Sequence, residues 1–291
     1  NIGKEENQYK MLSRLELSYA AHKRLQQYCL SRDITYLSTA FDFESLTFLV
    51  TELGLTTLKI PSGELTNAPF VLAHARTGAQ LIVSTGMADM SEVQQALGVI
   101  ALGLLQFHGE LLLLQPDASS FMQAMNMPRG QKLLREYVTL LHCTTEYPAN
   151  PAEVNLNAMD SLSQAFGLAV GYSDHTAGIE VPIAAVAKDA VLIEKHFALD
   201  RNLPGPDHKA SLEPNELTAM VKGIRLIELA LGDGIKKPSA VEKSNAAIAR
   251  KSLVASGNIK KGQILSEDNV VIMRPGDGMS PYHYWSLLGK P

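Results

Sequence analysis

Two histidines in this sequence close short β-type runs. Val170–Tyr172 leads into Ser173-Asp174-His175, and Ala190–Ile193 leads into Glu194-Lys195-His196, with a helix-like segment between them. If both runs are parallel strands joined by one crossover helix, the histidines stand at neighbouring strand ends on one rim. That rim is where α/β barrels carry their chemistry. Two imidazoles converging there can hold a divalent metal; the alternative is that each is a hydrogen-bonded core or rim histidine. Strand parity favours the pair. Ser173 and His175 share one face, as do Glu194 and His196, while Lys195 points the other way.

Other strand ends carry groups suited to an anion. Lys59 stands beside Pro61-Ser62-Gly63-Glu64, and Ser84-Thr85-Gly86 and Thr144-Thr145 follow later runs. A point charge, hydroxyl donors and exposed backbone N–H groups suit a phosphate or a carboxylate, although any one such Ser or Thr also serves as a turn former. Thr39 closes an earlier run. Glu64 and Asp207 are candidate carboxylates for proton transfer or for binding sugar hydroxyls, or else solvated loop charges. Tyr147, before Pro148, either covers a substrate or braces its loop. His142 and Cys143 read as packing residues, and Arg274 by default as a surface charge.

The elements that must position these residues alternate. Six β-type runs are expected at Tyr36–Phe41, Thr57–Ile60, Leu81–Ser84, Val138–Cys143, Leu168–Tyr172 and Ala190–His196. Helical patterns are expected near Met11–Ser31, Glu44–Leu53, Ala68–Thr77, Met90–Leu105, Leu156–Phe166, Ile179–Ala187 and Pro214–Leu231. This alternation, with the chemistry after the strands, predicts a parallel α/β fold and favours a (β/α)8 barrel over an open sheet. Eight strands need two more, so the first two and the helix between them are expected to be missing from this chain. Gly103–Lys132 reads as a surface excursion near the rim. Residues 1–235 form the expected barrel, 236–250 a polar linker, and 251–291 a small, mostly β module cut short at Pro291.

Composition narrows the function classes. The chain has 291 residues, 46% hydrophobic and 19% charged, with a formal charge of -4, which argues against nucleic acid or an anionic membrane as main partner. Two cysteines, Cys29 and Cys143, make no disulfide framework, so a reducing cytoplasm is expected. The longest apolar run, around Ala96–Leu114, is broken by Gly98, Gly103, His108 and Glu110 and is no membrane span. The residues alone thus point to a metal-assisted α/β-barrel enzyme acting on an anionic small molecule.

The motifs KIPSGE (59–64), STGM (84–87), HCTTEYP (142–148), GYSDHT (171–176), EKHF (194–197) and GPDH (205–208) resemble the sialic acid synthase family. ARKSLVA (249–255), IKKGQILSEDN (259–269) and RPGDG (274–278) resemble that family's C-terminal antifreeze-like (SAF) domain. The resemblance runs from about residue 36 to 285, in order and spacing. It implies a TIM barrel joined to an antifreeze-like module, in a domain-swapped homodimer whose modules cover the partner's barrel mouth. It also implies condensation of phosphoenolpyruvate with an N-acylated mannosamine-type sugar, giving a nine-carbon 2-keto-3-deoxy acid and phosphate. His175 and His196 would hold Mn2+ or Mg2+, which would polarise the sugar aldehyde. Thr39, Lys59, Ser62, Ser84, Thr145 and Ser173 would bind phosphoenolpyruvate. Glu64 would handle a proton on the sugar side, with Tyr147 and Asp207 lining the sugar site and Arg274 reaching the N-acyl group from the partner subunit.

There are departures from the pattern. The family's opening Glu-Ile-Gly-type strand and its lysine-bearing second strand have no counterpart, so part of the phosphoenolpyruvate site is expected to be absent. Thr145 stands where some members have Asn, and PANPAEVNL (148–156) differs from the usual PAPFxEVNL. The HCTTEYP form resembles the legionaminate branch more than the N-acetylneuraminate branch. Two other readings stand beside this one: a KDO- or DAHP-like aldol-type synthase acting on a sugar phosphate, and an inactive truncated remnant.

Overall fold

The computed structural model describes residues 13–203 and 207–291. The start of the first expected helix, Met11 and Leu12, and Gly205-Pro206 of the GPDH motif lie outside the described residues. The chain divides into two compact units, the first extending to Leu231 and the second running from Gly232 to Pro291.

Five parallel strands form the sheet of the first unit in sequence order: β1 (Thr57–Ile60), β2 (Gln80–Ser84), β3 (Val138–Cys143), β4 (Ala169–Asp174) and β5 (Ile193–Lys195). Backbone bridging continues one step beyond β5, where Phe197 pairs in parallel with Leu212. Helices connect the strands: α1 (Tyr19–Ser31), α2 (Phe43–Thr47, continued by a π-helical turn at Phe48–Glu52), α3 (Ala68–Ala75), α4 (Met90–Phe107), α5 (Ala118–Asn126), α6 (Pro128–Tyr137), α7 (Pro151–Val154), α8 (Ala158–Phe166), α9 (Glu180–Ala187) and α10 (Pro214–Leu231). Capping chemistry fixes several starts. Asp89 accepts from the N–H groups of Ser91 and Glu92 while Glu92 reaches back to the Asp89 N–H, a complete capping box at α4.

Period-two alternation sorts each strand into two faces. Leu58, Ile60, Leu81, Val83, Val138, Leu140, Val170 and Tyr172 are buried towards the helices and make the core with α3, α4 and α6. Nearly every residue of α4 from Ala96 to Gln106 is buried, because other helices cover it as well as the sheet. Gly103 permits one of these contacts: a Cβ there would lie 2.5 Å from the Cβ of Ala75.

The sheet is a half-barrel, as a single contact requires. Four steps of about 4.8 Å would set β1 and β5 roughly 19 Å apart in a flat sheet. Yet Lys59 on β1 and Glu194 on β5 meet at 2.9 Å. Only a strongly curved sheet brings its two edge strands within reach of two side chains.

Three expectations are corrected. Tyr36–Phe41 is extended but is not a strand, since none of the described backbone pairs with it; its side chains pack instead, with Tyr36 Oη 2.6 Å from His22 Nδ1. The first helical pattern is interrupted at Glu16–Ser18, where the Ser18 hydroxyl accepts from Ala21 N and starts a new helix. The Gly103–Lys132 excursion is mostly helical: α4 runs on to Phe107, and α5 and α6 pack on it with Ala124 and Leu133 fully buried.

In the second unit, β6 (Ser252–Ala255) and β7 (Val270–Met273) pair antiparallel, and Leu253 bridges to Met279. The stretch read as a polar linker holds a helix, α11 (Ala240–Ala249), begun by a Ser239–Glu242 capping box. Among the described residues no helix is long and apolar enough to cross a membrane.

Candidate active site

The strand register puts the chemistry on the face away from the helices. Lys59 lies beside Ile82, Ser84 beside Leu141, Cys143 beside Ser173, and Ser173 beside Glu194. Neighbours in a parallel register share a face, so Lys59, Ser84, Cys143, Ser173 and Glu194 all project into the curve of the half-barrel. Lys59 Nζ donates to Glu194 Oε1 at 2.9 Å, and Ser173 Oγ donates to the same oxygen at 2.7 Å. The Lys59 side chain is 12% exposed and that of Glu194 36%, so this ion pair lies at the edge of solvent.

Next to it is a cluster of small donors. The Gly86 N–H donates to Ser62 Oγ at 3.0 Å, and Ser62 Oγ lies 3.2 Å from Cys143 Sγ. A Cβ on Gly86 would stand 2.6 Å from Thr145 Oγ1 and 2.8 Å from both Cys143 Sγ and Ser62 Oγ. The absence of a Cβ therefore lets two hydroxyls and a thiol close in on the Gly86 backbone and line a narrow hollow there. The Ser84 hydroxyl, on the same strand face, is buried without a hydrogen-bond partner among the described residues. A buried donor left unmatched is costly in a core, and a bound polar ligand is one way to satisfy it.

The histidines meet just beyond the strand ends. Their rings are 5.4 Å apart; Tyr147 lies over His175 at 4.1 Å and edge-on to His196 at 5.3 Å. His175 Nδ1 is 2.6 Å from the Thr144 carbonyl, a contact that requires an N–H there, and Nε2 lies 3.5 Å from Ser173 Oγ. Burial pushes the His196 pKa down, opposed by the nearby Asp207 carboxylate, so burial favours the neutral form of this ring. Burial, with the Asp207 and Glu194 carboxylates nearby, raises the Tyr147 hydroxyl above its ordinary value and keeps it protonated.

These residues fit a metal ion as two imidazole nitrogen donors. Among the described residues no group of three His, Cys, Asp or Glu gathers to hold one, so further ligands would come from substrate or water. Imidazole pairs of this kind suit Mn2+ better than Mg2+, which prefers an oxygen shell.

The predicted residues are not all brought together. Lys59, Ser62, Thr145, Tyr147, Ser173, His175, His196 and Asp207 touch or electrostatically face one another, and Ser84 shares the face. Thr39 lies on the unpaired extended segment, with no hydrogen bond to this group among the described residues. Glu64 Oε2 accepts from Asn67 Nδ2 at 2.7 Å and is not bonded to the histidines. Arg274 is exposed just after β7, in the second unit. Sequence reasoning put Glu194 on the face of His196 but gave it no role in the site. It also took Cys143 for packing, although Cys143 faces the hollow. His142 does pack: it bonds the Val154 carbonyl at 2.7 Å and lies near Tyr172.

Comparison with known proteins bears on this arrangement. The NeuB family profile matches residues 1–236. An N,N'-diacetyllegionaminic acid synthase of Campylobacter jejuni is 48% identical over 286 residues, covering 98% of this chain and 77% of that protein. A protein of the same name from Legionella pneumophila is 40% identical over 290 residues, 100% of this chain and 74% of its own. Among solved structures, the N-acetylneuraminic acid (sialic acid) synthetase of Leptospira borgpetersenii in complex with citrate superposes with a TM-score of 0.66 at 30% identity, over 84% of this chain and 74% of that one.

Proposed function

This chain belongs to the NeuB family, and from that premise we propose the reaction of its site: condensation of phosphoenolpyruvate with an N-acylated mannosamine-type sugar. The chain is a nonulosonic acid synthase, and the relatives at 48% and 40% identity favour this over KDO- or DAHP-like chemistry on a sugar phosphate. The finer reading, N,N'-diacetyllegionaminate as product, rests on the names of those two relatives. N-acetylneuraminate is the other candidate.

The observation that carries the proposal is the row of donors on one strand face ending at two adjacent imidazoles. Lys59, Ser84, Ser173 and the Ser62–Gly86–Thr145 hollow would bind the phosphate and carboxylate of phosphoenolpyruvate by charge-assisted hydrogen bonds. Glu194 holds the Lys59 ammonium in place from across the sheet. His175 and His196 would hold Mn2+, which when bound supplies Lewis-acid polarisation of the sugar aldehyde. Tyr147 shields the histidines from water on its side, and Asp207 faces His196 where sugar hydroxyls would lie. Glu64 remains the candidate for proton handling, after rotation away from Asn67.

The same proposal includes a full (β/α)8 barrel, with β1 to β5 supplying five of its eight strands, and an antifreeze-like identity for the second unit. A dimer in which Arg274 reaches the partner's sugar site goes with it, supported by the exposure of Arg274 after β7. A cytoplasmic setting suits Cys29 and Cys143, which are free thiols.

Phosphate release tests the proposal. With Mn2+ and phosphoenolpyruvate, the full-length protein is expected to turn over 2,4-diacetamido-2,4,6-trideoxymannose faster than N-acetylmannosamine. No release with either sugar would end the reading.

A further inference from the structure

The residues flanking the two histidines are joined to each other on the helix side of the sheet. Lys195, between Glu194 and His196, sends its ammonium to Asp174 Oδ2 at 2.6 Å and to the Thr176 carbonyl. One cation therefore grips the residue before His175 and the residue after it. Asp174 Oδ1 accepts three further bonds, from the Tyr172 hydroxyl at 3.1 Å, the Thr176 N–H at 2.9 Å and the Thr176 hydroxyl at 2.8 Å. The His175 carbonyl is held from a third strand end by Ala149 N at 2.8 Å.

The side chains of Lys195 and Asp174 are 3% and 0% exposed. Elsewhere on this side of the sheet the strands present Leu58, Val83, Leu140 and Val170 to the helices. A buried ion pair gives little net stability over apolar residues of similar size, so its presence among them calls for another role. A network with every oxygen satisfied can fix one geometry of the backbone that carries it.

We propose that the Asp174–Lys195 pair is a positioning device for the two-histidine site, cross-linking β4 and β5 so that His175 and His196 can bind one metal ion together. This rests on the metal-binding reading given above. Neither residue touches substrate or metal; both act through the strand ends. The device spans two tripeptides, Asp174-His175-Thr176 and Glu194-Lys195-His196, and so also sets where Glu194 meets Lys59.

The test uses the full-length protein stripped of metal, with Mn2+ alone as probe and electron paramagnetic resonance of free Mn2+ as readout. The variants are K195M, K195R and the double variant D174N/K195M, which leaves no buried charge unpaired and so folds if K195M does not. K188M is the control, because Lys188 pairs with Asp160 at 2.7 Å at a half-exposed site away from the histidines. Circular dichroism defines a temperature at which each variant is native. There, K195M and the double variant are expected to bind Mn2+ about 10–100-fold more weakly. Metal-free phosphoenolpyruvate binding should change by less than about twofold, K195R should recover part of the loss, and K188M should match the parent. Native K195M or double variant binding Mn2+ within twofold of the parent would reduce the pair to scaffold and overturn the proposal. A parent that takes up no Mn2+ and releases no phosphate would overturn the functional reading and the proposal together, an outcome distinct from the first.

Discussion

Gly86→Ala adds one methyl group to the hollow between Ser62, Cys143 and Thr145. The new Cβ would stand 2.6 Å from Thr145 Oγ1 and 2.8 Å from Ser62 Oγ and Cys143 Sγ, roughly 0.7–0.9 Å inside an ordinary contact of about 3.5 Å. All three obstructing atoms are ends of side chains, so they can swing away, at an overpacking cost of about 1–3 kcal/mol. At about 2–4 °C per kcal/mol, that lowers the melting temperature by roughly 2–12 °C and leaves a folded enzyme. The swing carries the Ser62 hydroxyl off the Gly86 N–H and out of line with the anion. Losing one hydrogen bond to a charged group costs about 1.5–3 kcal/mol, which is roughly 10–150-fold in affinity. The assay is phosphate release with phosphoenolpyruvate varied at fixed sugar, then the reverse. The KM for phosphoenolpyruvate should rise at least about tenfold while that for the sugar stays within about twofold. An unchanged KM for phosphoenolpyruvate in a folded variant would refute the cradle, and a rise confined to the sugar would assign it to the other substrate.

Other perturbations probe different links. D174A strands the buried Lys195 charge and should destabilise the protein by about 3–5 kcal/mol in urea melts; D160A, at a half-exposed pair, should cost no more than about 1 kcal/mol. Equal losses would contradict the burial argument. H175A and H196A should each abolish the stimulation of turnover by Mn2+ while leaving metal-free phosphoenolpyruvate binding in place; a variant still activated by Mn2+ would remove that histidine from the metal site. Burial lowers the pKa of His74 below its usual 6.5. Below that pH the unfolded chain takes up a proton that the folded chain refuses, so this contribution is intact above 6.5 and lost as pH falls towards the folded value. H74N should flatten that part of the stability–pH curve between pH 7.5 and 5, and an unaltered slope would show that His74 is not its source.

The strands were legible in the sequence where their pattern is local. Alternation marked β1 to β5, and the same parity put His175 beside Ser173 and His196 beside Glu194. Tyr36–Phe41 misled because its residues have strand composition, but a strand also needs a neighbour, and pairing is not a local property. The helix at Ala240–Ala249 was hidden by polar composition, although Ser239 and Glu242 form a readable capping box. Glu194, Asp174 and Lys195 were given no role in the site, because charged residues read as solvated until curvature and burial are known. Nothing in the spacing of Lys59 and Glu194, which lie 135 positions apart, announces that the sheet bends far enough for them to meet.

That meeting has a consequence for how the site handles its substrate. A lone ammonium in a donor-lined hollow would be claimed by any small anion the cell offers. Glu194 is a resident counter-ion on a strand that cannot diffuse away, so at the proposed site an arriving anion would take over Lys59 by exchange with a carboxylate already in place. Exchange of that kind weakens casual binding and rewards only an anion that fills the neighbouring hydroxyls as well. On product release at that site, the tethered carboxylate would return to Lys59 and help to expel the product.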